Sequence, residues 1–199
     1  MAHTDPLDES ILAAALIEVQ NLWTDPPDEY GLVASDPSLL TFGRTFQIWL
    51  LSKAGVEDAA QHNRDVRAIA QPSGTWHHEL WAQGAVAGSA ISRQAPDAQL
   101  HVESAIYQQP RGMSINPAVA KLEQLQLPGD PLIRLLYAPA YHVYALWLIG
   151  EGCRETQVLI ADAGPWLDLQ MNEIMKSPAF LKELARQESI PGRDIDSYF

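Results

Sequence analysis

Cysteine is almost missing from this chain: Cys153 is the only one in 199 residues. A single thiol excludes an internal disulfide and any zinc site built on several cysteines. Basic residues are scarce as well. Thirteen Lys and Arg stand against 25 Asp and Glu, a formal net charge of -12. An acidic chain repels phosphate backbones, so nucleic acid and anionic membrane are poor partners without a local basic patch. Arg64 and Arg67 come closest to one, and Asp65 sits between them. Long apolar runs are also lacking. Val143 to Ile149 is as long as any, far short of the roughly 20 residues a membrane-spanning helix needs. The opening MAHTDPLDES has no basic segment followed by an apolar one, so it does not read as a secretory signal. These features predict a soluble cytoplasmic protein with neither nucleic acid nor membrane as partner.

Catalytic signatures are missing too. The sequence holds no G-x-S-x-G elbow, no P-loop and no strand-linked G-x-G-x-x-G. No cofactor is expected. Internal repeats and low-complexity segments are likewise absent.

What is present is an ordinary globular balance, 47% hydrophobic and 19% charged. The length suits one domain, taken here as residues 1–188 with a polar and mobile tail over 189–199. The most apolar and β-prone stretch is Leu132 to Asp162. It reads as three strands: Leu132–Tyr137, Tyr141–Gly150 and Glu155–Asp162. Pro139 interrupts the first two, because proline cannot donate a ladder hydrogen bond. Glu151 to Arg154 is a hairpin turn. The middle strand is apolar on both faces, as a central, covered strand would be.

The rest of the chain is arranged around that stretch. A helix is predicted from about Asp8 to Trp23, with Ile11, Leu12, Ala15, Leu16, Val19, Leu22 and Trp23 at helical spacing. Pro26 and Pro27 end it, and Glu29 to Pro37 reads as a surface loop. Ser38 to Leu51 fits helix or strand, with helix favoured. Val56 to Ala70 reads as a helix. Thr75 to Arg93 reads as a β-hairpin turning at Gln83-Gly84. The small residues of its second arm match the tryptophans opposite, or let a helix approach. Gln99 to Gln108 fits a third strand, although a helix could start at Val102. Pro110 to Met113 is a turn, and Asn116 caps a short helix with Pro117 in its first turn. After Gly164-Pro165 a helical region is expected, with Trp166, Leu167, Met171, Ile174 and Met175 on its apolar side. Ser177-Pro178 then caps a last helix to about Gln187. The fold class is therefore α+β: an antiparallel sheet of five or six strands with helices from both termini packed on it.

Candidate sites are few. Adjacent His77 and His78 point to opposite faces of a strand and cannot share one metal. His78, His101 and His142 on neighbouring strands could converge as a three-histidine site, but nothing in their spacing demands it, and no metal is expected. Cys153 has Arg154 beside it, opposed by Glu151 and Glu155, which is a poor setting for a reactive thiol. His77 and Trp81 would form an apolar patch on the outer face of the hairpin, either a partner interface or the seat of a covering helix, with the helix favoured. The broken strand junction at Tyr137, Tyr141 and His142, with His78, is the place for a small ligand. Two functions follow. The preferred one is non-enzymatic: interaction with a protein partner, or self-association. The other is a small enzyme or ligand-binding protein, metal-dependent or not, using His78, Tyr137, Tyr141 and His142.

Overall fold

The computed structural model describes residues 3–22, 36–107, 115–125, 127, 129–151, 154–171 and 173–195. Trp23, the prolines after it, most of the Glu29 loop, the turn at Pro110 to Met113 and Cys153 lie outside the described residues. The chain divides into two compact units. One comprises Met1–His3, Ile48–Ser73 and Met113–Phe199; the other comprises Thr4–Gln47 and Gly74–Gly112. A two-residue strand, β1 (His3–Thr4), opens the chain.

In the second unit, α1 (Glu9–Leu22) is the only described α-helix. It lies against strands β2 (Leu40–Leu50), β3 (Gln71–Ala82), β4 (Ala85–Gln94) and β5 (Leu100–Tyr107), hydrogen-bonded in the order β5-β4-β3-β2. The β3–β4 hairpin turns where expected. Gln83 and Gly84 both take positive φ, 51° and 81°, the geometry whose twist matches a hairpin. Its second arm is small because a helix sits on it: Val19 of α1 packs with Ala87, Ala90, Leu80 and Leu40. Ala15 packs with Trp76 and Leu100.

Residues 40–50 form a strand, β2, where the spacing favoured a helix. The reason is a change of pleat. Phe42 stacks on His78, whereas Phe46 approaches His77. Those two histidines face opposite ways, so two even-numbered phenylalanines on one strand do too. The parity shift between them hides the period of two from a reader of the sequence.

In the first unit the order is β2-β6-β7-β8-β9, with β6 (Leu132–Ala138), β7 (Val143–Ile149), β8 (Gln157–Ala163) and β9 (Ile174–Lys176). The end of β2 runs parallel to β6, pairing Ile48 with Leu135 and Leu50 with Tyr137. The remaining pairs are antiparallel. The fold is α+β as expected, but the sheet is mixed, and nine strands are described instead of five or six. One face of this unit carries α2 (Lys53–Gln61) and α4 (Ser177–Ala185). Val56, Ala59, Phe180, Leu181 and Leu184 close over Leu136, Val143, Ala145, Trp147 and Ile160. A further helix, α3 (Asn116–Gln124), presents buried Ala118, Val119 and Leu122.

Other local expectations shift. The helix placed over Val56 to Ala70 ends at Gln61, followed by a 3-10 turn over Val66–Ala68. That turn is pinned by Asp65, whose carboxylate accepts the Arg67 N–H at 3.0 Å and the Thr156 N–H at 2.7 Å. Burial would raise the Asp65 pKa, but these N–H groups and the Thr156 and Ser177 hydroxyls outweigh it and hold it low. Ser177 does not cap α4; its hydroxyl accepts the Val66 N–H instead, at 3.2 Å. Asn116 lies inside α3, which starts after Ile115 without a side-chain cap. No helix forms among the described residues of 166–175. Ile174–Lys176 pairs with β8 instead, where its backbone satisfies groups a helix would leave open. The tail, expected to be mobile, is tied down at two points. Ile190 N–H donates to the Ala140 carbonyl at 2.6 Å, and Asp194 accepts the Lys53 N–H at 3.0 Å.

Candidate functional site: the β6–β7 turn

Pro139 ends β6, and the chain reverses over four residues. Tyr141 N–H donates to the Ala138 carbonyl and His142 N–H to the Pro139 carbonyl, at 3.1 and 3.2 Å. His142 takes φ of 52°, a left-handed conformation few side chains adopt, histidine among those that tolerate it best. Gly164 N–H donates to the His142 carbonyl at 3.2 Å. The turn is thereby fastened to the end of β8.

The two tyrosines of the motif part company. Tyr141 points into the main core. Burial, then the charges of Glu57 and Asp194, push its pKa up to about 12. Tyr137 belongs to the other face. It pairs across the strands with Tyr144, and Tyr144 pairs with Asp162, which puts the three in one cross-strand row. The Tyr137 and Tyr144 rings stack at 4.1 Å. His142 stands nearly perpendicular to both, 6.5 Å from Tyr137 and 6.3 Å from Tyr144. Trp166 then lies alongside His142 at 6.2 Å and 26°. Its ring folds back over Gly164, where any Cβ would collide with the indole. Trp166 is 56% exposed nonetheless. Nδ1 of His142 is sealed from solvent and has no hydrogen-bond partner among the described residues. Asp162 is half-buried. Burial raises its pKa, and the Ala163 N–H and nearby His142 offset part of that rise.

The other expected site residues lie in the second unit. His78 is fully buried, with Thr45 Oγ1 3.0 Å from Nδ1 and Ser92 Oγ 2.7 Å from Nε2. Both ring nitrogens are thus engaged, and Phe42 stacks on the ring at 4.4 Å. Burial, aided by neighbouring His77, pulls the His78 pKa down to about 3. His77 keeps a partly accessible edge, but its Nδ1 is sealed without a partner among the described residues, and burial pulls its pKa down to about 4. Trp81 is half-buried over Gly43, and its Nε1–H donates to Glu79 at 3.4 Å. His101 is exposed and lies 3.5 Å from the Glu18 carboxylate. Among the described residues no group of three His, Cys, Asp or Glu could hold a metal ion.

Of the four residues expected at a ligand site, the structure brings Tyr137 and His142 together, places Tyr141 in the core, and commits His78 to Thr45 and Ser92. Trp166 and Tyr144 were not anticipated as site residues. Tyr144 was readable in principle, since a short turn at Pro139 fixes the register that sets it opposite Tyr137. No family model, curated protein or solved structure matches this chain. No helix among the described residues is long and apolar enough to cross a membrane.

Proposed function

We propose that this chain works by binding, and that its ligand sits on the aromatic step formed by Tyr144, His142 and Trp166. One observation carries the reading: a tryptophan more than half exposed lies over the glycine beneath it and alongside the histidine. The exposed ring offers apolar surface that a ligand can cover, and covering it is favourable. A cytoplasmic setting belongs to the same proposal. Ligand-observed NMR of a fragment library on the wild type and on Trp166→Ala tests it. Hits that vanish in the variant support the reading; hits that bind both proteins equally sink it.

A second reading, association with a protein partner or a second copy, has its own support in the other unit. Ile17 is 59% exposed and Leu22 52%, on a helix whose only charges are Glu9 and Glu18. A helix with so little polar surface is normally covered on more than one side. Sedimentation velocity over a wide concentration range, with Ile17→Asp as the comparison, tests this. Self-association that survives the substitution argues against α1 as the contact.

A further inference from the structure

We propose that the outer edge of β5 is a pairing surface for the β5 of a second copy, and that Glu18 of α1 is the latch that closes it. This contact differs from the Ile17 face of the same helix, because backbone groups at the end of the sheet make it.

β5 ends the strand order of the second unit, with β4 as its one strand partner among the described residues. Backbone groups along the outer side of such a strand have no ladder, which makes the edge a template for another strand. Val102 N–H is one of them. It donates to Glu18 Oε2 at 2.8 Å, and so points away from β4. In an antiparallel ladder the N–H and C=O of one residue lie on the same side, so the Val102 carbonyl faces outward too. The other carboxylate oxygen of Glu18 lies 3.5 Å from His101 Nδ1. Glu18 thus reaches from α1 to the strand edge and fills the position that a partner strand's carbonyl would take. One N–H cannot serve both well, so latch and partner compete for it.

The side chains beside Val102 select a second copy as the partner. His101 and Glu103 flank it and are both exposed. Glu103 bonds Arg93, the residue opposite His101 in β4, so all three lie on one face. A two-fold axis at Val102 lets the two Val102 residues exchange both hydrogen bonds. It also sets His101 of each copy across from Glu103 of the other, an imidazole against a carboxylate, twice. The register therefore brings no like charges together, in a chain whose net charge is -12. β5 carries a bulge at Glu103, which has no register partner in β4. A bulge bends its strand and shortens the ladder an edge can offer. The pairing is therefore short, and a single charge-assisted hydrogen bond can decide it.

Sedimentation velocity of the full chain over a wide concentration range, wild type against Glu18→Ala, tests this, with hydrogen exchange of the Val102 amide read by NMR. The variant loses the competing acceptor, so association should strengthen at least about tenfold. The Val102 amide should exchange faster in the dilute variant than in the wild type, and slow again as the variant associates. Adding His101→Glu should weaken that association, because it sets two carboxylates across from each other. Glu18→Gln keeps an oxygen for the N–H and serves where Glu18→Ala does not fold; it should shift association the same way by a smaller factor. Variants no more associated than the wild type overturn the latch. Association in which the Val102 amide still exchanges as fast as in the dilute variant places the contact elsewhere and overturns the edge. Association that His101→Glu leaves unchanged overturns the two-fold register.

Discussion

Two aromatic corners in the same unit, built from similar residues, have opposite fates. At the first, Trp147 is 2% exposed, Trp49 meets it edge to face, and Arg134 from the facing strand supplies a cation to both rings. At the second, Trp166 stands in solvent beside His142, and the nearby charge is the carboxylate of Asp162. The first corner contains its own counterpart and contributes to stability. The second sets an exposed indole beside a histidine and a carboxylate instead. The contrast separates rings that hold a fold together from rings available to something else.

The largest expected effect comes from emptying the closed corner. Trp147→Ala removes a fully enclosed indole that packs into the main core. It should cost about 3–5 kcal/mol, read as a lower urea midpoint. A loss under about 1 kcal/mol would mean that the corner does not support the core, and the contrast between the two would fail.

The second unit allows an equally large test by pH, because its own aromatic contact encloses a histidine instead of an arginine. His78 is sealed between Thr45, Ser92 and Phe42. Its pKa falls from the ordinary 6.5 to about 3 on folding, and that of His77 to about 4. The unfolded chain therefore binds protons that the folded chain refuses, and stability drops as pH falls below 6.5. The loss from His78 approaches about 4 kcal/mol near pH 3 and is absent above pH 7. Urea midpoints of the wild type and His78→Gln should diverge at neutral pH and draw together in acid. Parallel curves across that window would show that His78 is not held neutral.

Arg134→Met sharpens the comparison more finely. It keeps the length of the stem and removes the cation from Trp49 and Trp147. A loss of about 1–2 kcal/mol is expected, the range for a partly desolvated cation–π contact. An unchanged urea midpoint would show that the Arg134 charge contributes nothing to the closed corner.

How much of this was legible in the sequence depends on the range of the interactions. The β3–β4 hairpin was readable because its signal is local: Gln83-Gly84 accepts positive φ, and the arms flank it at once. The interrupted junction at Pro139 was readable for the same reason. The strand at Leu40–Leu50 was not, because its pleat changes parity between Phe42 and Phe46 and breaks the alternation a reader counts. The parallel contact of β2 with β6 joins segments more than eighty residues apart, and no local pattern encodes that choice. The open corner falls between these cases. Tyr137 and His142 are neighbours in sequence and were singled out. Trp166 arrives only through the β7–β8 register and the Gly164 N–H on the His142 carbonyl. A tryptophan just after Gly-Pro reads most simply as the start of a helix, and only the pairing of β9 with β8 shows why none forms there.

The smallest expected effect on stability bears most on function. Trp166→Ala should change the urea midpoint little, within about 0.5 kcal/mol, because over half of the side chain is already in water. Gly164→Ala approaches the same ring from the other side. The added methyl collides with the indole as it lies, so Trp166 must swing away from His142 while the strands beneath keep their pairing. Both variants should leave the fold intact and remove the open corner, one by deleting its wall and one by displacing it. The Trp166 indole N–H resonance should therefore shift in Gly164→Ala while the other tryptophan resonances hold still. If Trp166→Ala instead destabilises the protein as much as Trp147→Ala, the exposed ring is a structural element after all, and the two corners differ in accessibility alone.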